Sequence, residues 1–404
     1  MVQNFLGYGI ELWGLMATGD IARLFAIDLL INPETRGTQD IHHVITAVAS
    51  SSSIKSAERF ISQHIAPRQS QAIACLAYSS YEEIVQDANV DIVYIASPHS
   101  HHFQNCMLAM EYNKPILCEK PLTVNANQAQ KLYETAKQKN IFLMEAVWTR
   151  FFPLSIKVRQ LIQDGEIGEV LRVYVDNSTG VDISKLGANH RYLDMGLAGG
   201  ALLDIGIYPL IWVFQTMYHT REKSQRQKPS RVFGMLTYEK TSGTDQMVSA
   251  VVEFPASAPN GNTASHGIMA TSMVLSNDPD DSRVSGATVR IQGLKGEIQV
   301  HGPVHRPEWI RIIHKTAKDG SVQGYESRDI HYDIPAGGHG MYWEADEAAR
   351  CIRDGKIESF VIPWDESVTI MQVVDKIRAQ AGYTYPEEIE STQYPLNLKK
   401  RTVS

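Results

Sequence analysis

Cysteine is scarce in this 404-residue chain: Cys75, Cys106, Cys118 and Cys351 stand far apart, and no C-x-x-C occurs. That spacing argues against a disulfide framework or a cysteine zinc site, and predicts free thiols in a reducing compartment. Long hydrophobic runs are also missing. The longest, around residues 201–217, contains Asp204 and Pro209 and falls short of a bilayer span. The start MVQNFLGYGIELWG lacks the basic and apolar regions of a secretory signal, and the tail KKRTVS is not a peroxisomal address. Asn177-Ser178-Thr179 fits a glycosylation sequon, which carries no weight without such a signal. An excess of positive charge is absent, because 38 Lys and Arg face 45 Asp and Glu for a net −7. That balance speaks against nucleic acid or an anionic membrane as partner. No internal repeat or low-complexity tract is present. A cytoplasmic globular protein with two domains is expected at this length.

What the chain does have is a change of rhythm. Over the first 150 residues, IELWGLM, HHVITAVAS, VDIVYIAS, KPILCEK and IFLMEAVW read as apolar strands. Between them DIARLFAIDLLIN, SIKSAERFISQHI, SSYEEIVQDANV, HSHHFQNCMLAMEYN and NANQAQKLYETAKQKN read as helices. This alternation predicts an α/β domain with a doubly wound parallel sheet, covered on both faces. After about residue 168 come EVLRVYVDNST, SRVFGMLTYE, MVSAVVEFP, HGIMATSMVLS, TVRIQG, GEIQVHG and EWIRIIHK, joined by turns such as APNGN and NDPDD. Strands without crossover helices predict a large open, mostly antiparallel sheet in an α+β domain. One long buried helix, GGALLDIGIYPLIWVFQTM, interrupts them, and MYWEADEAARCIRDG and ESVTIMQVVDKIRAQAG are helices near the end. The basic stretch HTREKSQRQKPS reads as a solvated loop.

The turn WGLMATGDIA lies between the first strand and the first helix, where a dinucleotide phosphate loop would lie. A G-x-G-x-x-G match needs glycine at position 17, where Ala17 stands. The turn proper, Ala17-Thr18-Gly19-Asp20-Ile21-Ala22, reads A-x-G-x-x-A. Gly19 would let backbone approach a pyrophosphate and Ala22 would allow close helix packing. Ala17 serves only with a negative φ, and the Asp20 carboxylate must point away from a phosphate. An ordinary βα turn remains the alternative. The second strand ends in Ser50-Ser51-Ser52-Ser53, followed by Lys55 and Arg59. No acid stands there to hold a ribose 2′-hydroxyl, whereas hydroxyls and a cation suit a 2′-phosphate, so NADP is favoured over NAD. A merely flexible serine loop is the alternative.

Ligands of open α/β sheets bind outside the carboxyl ends of the strands. There the chain reads SPHSHH (Ser97–His102) and CEKPLT (Cys118–Thr123). Ser97, Pro98, His99 and Glu119 belong to these turns, and Lys120 would project its ammonium into the crevice. The histidines lack a third-ligand cluster at a recognisable spacing, so no metal is expected. A polar contact from His102 to the cofactor is the preferred reading, and a surface histidine the alternative. In GGALLDIGIYPL, Asp204 and Tyr208 are four apart and would share a helix face. Buried, both need partners. A nearby ammonium such as that of Lys120 would lower a phenol's pKa and suit Tyr208 as a base. Polarity serving packing alone is the alternative.

CEKPLT, MEAVWTRFFP, DGEIGEV, AGGALLDIGIYPL and GHGMYWEADEAARCIRDGK, in this order, make nearly the whole chain resemble the glucose–fructose oxidoreductase/inositol dehydrogenase superfamily. Tyr208 with WTRFFP is similar to the dimeric dihydrodiol dehydrogenases and the NADP-dependent D-xylose 1-dehydrogenases. AVASSSS and PHSHHFQN look most like the fungal members of the latter. The resemblance implies Lys120 and Tyr208 as a catalytic pair beside Asp204. It places His102 and Trp148 at the cofactor and substrate site, Arg150 in the cofactor-proximal segment, and His190 and Arg191 toward sugar hydroxyls. With Ala17, Thr18, Gly19, Ile21, Ser50, Ser51, Ser52, Lys55, Ser97, Pro98, His99 and Glu119, these make up the expected cofactor and substrate site. Ala17 and Asp20 depart from the family turn, and Ser51 occupies a position often held by Arg. The implied activity is NADP-dependent oxidation of an aldose at C1. Dihydrodiol oxidation, dicarbonyl or anhydro-sugar reduction, or an NADP-sensing regulator on the same fold are the alternatives. The expected domains are residues 1–150, a Rossmann-type unit, and 151–404, a substrate-binding and dimerisation unit. Helices from about 340 are expected to pack back toward the first, and a homodimer is expected through the C-terminal sheet.

Overall fold

The computed structural model describes residues 9–187, 190–256, 263–280, 286–318 and 322–398. The expected APNGN turn lies outside them. The chain begins β1 (Gly9–Met16), α1 (Asp20–Leu29), β2 (Ile41–Ala49), α2 (Ile54–Phe60), β3 (Leu76–Tyr78), α3 (Tyr81–Gln86), β4 (Ile92–Ile95), α4 (His99–Glu111), β5 (Ile116–Glu119), α5 (Ala126–Lys139) and β6 (Leu143–Ala146). It continues with α6 (Pro153–Gln163), β7 (Val170–Ser178), α7 (Ala201–Asp204), α8 (Ile207–Met217), β8 (Arg231–Tyr238), β9 (Asp245–Phe254) and β10 (Ser265–Ser272). β11 (Val289–Gly293), β12 (Gly296–His301), β13 (Trp309–Lys318), β14 (Val322–His331), α9 (Tyr342–Arg353), α10 (Trp364–Gln380) and α11 (Glu387–Glu390) complete it. The chain forms two compact units.

The first unit comprises Met1–Trp148, Ile334–Ser367 and Pro386–Val403. Its six strands are parallel in the order β3-β2-β1-β4-β5-β6. This is the dinucleotide-binding strand order, with its switch point between β1 and β4. Strands β4, β5 and β6 are buried at every residue, as expected when helices cover both faces. Helix starts are fixed by side-chain caps at Ser53, Ser80 and Asn125. Two buried carboxylates then tie the 334–367 segment to this sheet. Asp28 of α1 accepts from the backbone N–H of His339, Gly340 and Met341 at 2.7–2.9 Å, just before α9. Asp346 of α9 takes Arg36 at 2.7 and 2.9 Å, Thr38 at 2.9 Å and His43 Nε2 at 2.8 Å. Because Trp13 Nε1 donates to His43 Nδ1, the proton of a neutral His43 sits on Nε2, facing Asp346. Burial alone would raise Asp346, but the Arg36 and His43 bonds hold it well below the ordinary carboxylate range.

The second unit comprises Thr149–Asp333 with Val368–Tyr385. Its eight strands run β14-β13-β12-β11-β7-β10-β9-β8, antiparallel except for the β7–β10 pair. One face of the sheet carries α8, which is buried along its whole length. Here the structure corrects the expected single helix over residues 199–217. The chain breaks after Asp204, and the segments Met195–Asp204 and Ile207–Met217 are bent by 45°. Pro209 explains part of this, since proline has no N–H and is tolerated only in a first helical turn, as in α8. Asp204 and Tyr208 therefore lie on two helices and not on one face. No single helix among the described residues is long and apolar enough to cross a membrane.

Candidate active site

The site elements of the first unit begin at the turn after β1. Ala17 stands at φ +93°, the left-handed region that favours glycine, so the expectation of a negative φ is overturned. Its N–H is held by the Ala49 carbonyl at 3.0 Å, which fixes the turn against β2. Gly19 is the N-cap of α1 and offers no side chain to the first-turn N–H groups. A Cβ on Gly19 would meet nothing within 4 Å, so the turn is open on that side. Bare amides at a helix start and the helix dipole together attract a phosphate. The Asp20 side chain is 91% exposed and pairs with Arg23 at 3.2 Å.

At the end of β2, Ser50 is buried and Ser51, Ser52, Ser53 and Lys55 are exposed. Ser50 and Ser52 are hydrogen-bonded through their hydroxyls at 2.9 Å, Ser52 donates to Ser56 at 3.1 Å, and Ser53 caps α2. Thr18 approaches Ser50 at 3.5 Å. A hydroxyl-lined strand end followed by the exposed Lys55 suits an extra phosphate. Gly19, the uncapped α1 and this serine cluster therefore fit a phosphorylated dinucleotide.

Beside them, the ends of β4 and β5 are held together by one ring. His102 is fully buried on α4; its Nδ1 lies 2.9 Å from the Pro121 carbonyl and its Nε2 2.8 Å from the Ser97 carbonyl. Only an imidazolium could donate to both. Burial opposes that charge and pushes the ring down to about 4, against the two carbonyls that favour it. Near neutral pH the ring is thus uncharged and gives its one proton to one of them. Asn105 fixes Ser97 Oγ at 2.9 Å, Pro98 starts α4, and His99 packs edge-on to His102 at 5.7 Å. Glu119 is buried, receives the Tyr94 hydroxyl, and accepts the Lys120 N–H at 3.2 Å, which leaves Lys120 half-buried at the strand end. Behind Glu119 lies a residue without any sequence signal, Glu344 of α9. Among the described residues neither of its carboxyl oxygens has a hydrogen-bond partner. Burial, then the Glu119 and Asp28 charges, push its pKa well above the ordinary carboxylate range. Trp148 is buried at the end of this unit.

In the second unit Asp204 is buried and held by the Arg191 fork at 2.8 and 3.3 Å. The Arg191 guanidinium also lies 4.5 Å from the Tyr192 ring centroid. His190 Nδ1 accepts the Tyr192 N–H at 3.3 Å, and burial lowers the His190 pKa. The unit thus gathers His190, Arg191 and Asp204. Tyr208, on α8, is 7% exposed, and its ring lies 5.5 Å from that of His305. Sequence reasoning missed His305, which comes from the loop before β13 with no spacing to mark it. Two bonds pin that loop: Trp212 Nε1 to the Val304 carbonyl at 2.8 Å and Thr149 to the His305 carbonyl at 2.7 Å. Arg150 is fully enclosed within this unit, where its carbonyl accepts from Arg159. Among the described residues, no three His, Cys, Asp or Glu gather as metal ligands.

A 3-2-1-4-5-6 parallel sheet with a bare helix start at its switch point defines a dinucleotide-binding oxidoreductase unit. Residues 21–147 match the oxidoreductase family with NAD-binding Rossmann fold, and residues 155–299 match the GFO/IDH/MocA C-terminal domain. The chain belongs to the GFO/IDH/MocA family of oxidoreductases. It is 48% identical over 400 residues, 95% of this chain and 96% of the relative, to a D-xylose 1-dehydrogenase (NADP(+)) from Hypocrea jecorina. It is 29% identical, over 93% of this chain and 98% of the relative, to a trans-1,2-dihydrobenzene-1,2-diol dehydrogenase from Bos taurus. Among solved structures, a levoglucosan dehydrogenase in complex with NADH and levoglucosan shares the fold, with TM-score 0.73 at 18% identity, covering 93% of this chain and 98% of that one.

Ala17 yields the first prediction. A left-handed alanine costs roughly 1–2 kcal/mol, which glycine avoids at a smaller cost in unfolded-chain entropy. Ala17→Gly is expected to stabilise the protein by up to about 1 kcal/mol and to leave NADPH binding at least as tight. Thermal denaturation with and without NADPH checks this; a lower Tm without NADPH would mean the turn is not strained.

Proposed function

We propose that this chain is an NADP-dependent sugar dehydrogenase that oxidises a D-xylose-like aldopyranose at C1 to the aldonolactone. The observation that carries it is the likeness, over 95% of the chain, to an NADP-dependent D-xylose 1-dehydrogenase. The first unit holds the cofactor. Thr18, Gly19 and Ile21, at the bare start of α1, would hold its pyrophosphate. Ser50, Ser51, Ser52 and Lys55 would hold its 2′-phosphate. Ser97, Pro98, His99 and Glu119 shape the crevice, and His102 acts by binding both of its loops together. Bound NADP+ supplies the hydride acceptor, the nicotinamide C4.

The protein's own residues handle the proton. Tyr208, assisted by Lys120, takes it from the anomeric hydroxyl, while the C1 hydrogen leaves with its electron pair. Asp204, held by the Arg191 fork, orients the sugar hydroxyls together with His190. Trp148 excludes water from the reacting centre, and Arg150 supports the cofactor-proximal segment from within. Residues 1–150 bind the cofactor and 151–404 the sugar and a second copy of the chain. Its four free thiols suit the cytosol.

An exposed apolar row supports the reading of a second copy. Outward side chains of neighbouring strands line up as Phe233, Val251, Ile268 and Tyr174, one pair opposite the next. Phe233 is 61% and the nearby Met235 74% exposed, an apolar row on the sheet surface away from α8.

Removing a general base typically lowers turnover ~10²–10⁴-fold. Tyr208→Phe is expected to lose kcat on that scale with NADPH binding nearly unchanged; near-wild-type turnover removes Tyr208 from the chemistry. D-xylose, D-glucose, dihydrodiols and dicarbonyls, each assayed with NADP+ and NAD+, test the substrate. Turnover of diols alone defeats the sugar reading, and a higher kcat/KM with NAD+ defeats the 2′-phosphate site. Phe233→Asp combined with Val251→Asp is expected to convert a dimer to a monomer in light scattering. An unaffected dimer, or a wild-type monomer, contradicts the interface.

A further inference from the structure

The break between α7 and α8 leaves a one-turn helix that could not hold its shape alone, since an isolated turn fixes several dihedrals for a single hydrogen bond. Two buried side chains from two strands grip its ends. At the front, Asp245 Oδ2, at the start of β9, accepts the Leu202 N–H at 2.6 Å. At the back, Asn177 of β7 donates its amide to the Ile205 carbonyl at 2.9 Å, in the break itself. Asn177 is in turn held by Thr271, whose hydroxyl donates to the Asn177 carbonyl at 2.7 Å. Asp245 is fully buried and Asn177 is 5% exposed, so both bonds are shielded from water.

The fit at the front is tight. Gly200 stands at φ +120°, and a Cβ there would lie 1.9 Å from Asp245 Oδ1. The carboxylate therefore needs a glycine both for conformation and for room. Asp204 is the last residue of the gripped turn, and Tyr208 is the second residue of the helix beyond the break.

We propose that Asp245 and Asn177 form a clamp that positions Asp204 and Tyr208 for the reaction. They are positioning residues, touching neither sugar nor cofactor, and their role rests on the catalytic reading of Tyr208 given above. The donors and acceptors are matched to the ends of the turn: an acceptor at its N–H end and a donor at its carbonyl end. Exchanging either for a group of the opposite kind leaves a buried backbone group unmet.

The clamp also has a pH dependence. The titratable and charged groups that face Asp245 are Tyr383, Tyr385 and Arg378, whose guanidinium lies 4.5 Å from the Tyr385 ring centroid. Burial pushes Asp245 up to about 6, against the Leu202 N–H, which favours the charge. Between the ordinary aspartate value and about 6 the folded chain keeps a proton that the unfolded chain has lost, so this group's contribution to stability falls as pH rises through that window. Above it, the carboxylate is charged and its grip on the helix start is strongest.

The test uses the full chain, with D-xylose or the best substrate of the panel. Asp245→Ala is expected to lower kcat by about tenfold or more, the scale on which a small misplacement acts. NADPH binding, read by fluorescence, and KM are expected to move less than about twofold, because only the reacting geometry changes. Asn177→Asp, which sets an acceptor against the Ile205 carbonyl, gives the same pattern. Asp245→Asn keeps an acceptor for Leu202 without the charge. It recovers part of the lost kcat, and the limb of the kcat–pH profile near pH 6 disappears. Wild-type kcat in Asp245→Ala, or an unchanged limb in Asp245→Asn, overturns the clamp. The Asn variant decides the matter alone if the Ala variant does not fold. Full activity in Tyr208→Phe overturns the catalytic reading, whereas an inactive Tyr208→Phe beside a fully active Asp245→Ala overturns the clamp alone.

Discussion

The ends of parallel strands are where this protein must solve its main polar problem. Carbonyls at the carboxyl ends of β4 and β5 leave the sheet ladder inside a buried region, and each needs a donor. His102 lies within hydrogen-bond reach of two of them, on the loops after β4 and β5, and its uncharged ring donates to one. The Glu119 carboxylate, the Tyr94 hydroxyl and the Lys120 backbone are ordered around that ring. The crevice thus owes its shape to hydrogen-bond accounting before it owes anything to ligand chemistry. Two further buried acids, Asp28 and Asp346, do the same for the late 334–367 segment. Charge inside this unit is tolerated where it is fully bonded; Glu344, without a hydrogen-bond partner among the described residues, has its pKa pushed well up instead.

The second unit uses polarity differently. Its sheet is a broad apolar support for α8, and the polar residues are concentrated where α7 is broken away from it. Asp204 would be a costly buried charge without the Arg191 fork. A continuous helix would have satisfied its own backbone through residues 199–217. The interruption instead hands backbone groups to Asp245 and Asn177, so strands determine the direction of helices. Loop 302–307 contributes in the same way, bringing His305 to Tyr208 through bonds made by backbone carbonyls.

Much of this was legible in the order of residues. The alternation of apolar strands with helices in the first 150 residues, and its replacement by strands joined by turns, is enough to separate the two sheets. β3 escaped because it is three residues long and half-exposed, and β14 because VQGYESRDIH is polar nearly throughout. The helix break was marked by Gly206 and Pro209, but the apolar run around them masked the interruption. Lys120, Asp204 and Tyr208 stood out because they are polar in apolar surroundings. Asp245, Asn177, His305 and Glu344 did not, because what gives each its role is a partner far away in sequence. The positive φ of Ala17 was likewise hidden: its cause is the Ala49 carbonyl on another strand, and alanine itself says nothing of it.

Asn177 has one more meaning, which concerns where such a chain can be made. Its amide nitrogen is the atom to which an N-linked glycan would be joined, and Asn177-Ser178-Thr179 is an acceptor sequence. In the finished molecule that atom is out of reach, spent on the Ile205 carbonyl. A chain threaded into a glycosylating compartment would present it to the transferase before folding hid it. The sugar tree would then occupy the space between β7 and the broken helix, and the one N–H left on the amide could no longer be packed against the Ile205 carbonyl. Moving this enzyme to a secretory host therefore calls for attention to one asparagine that serves as a structural bolt.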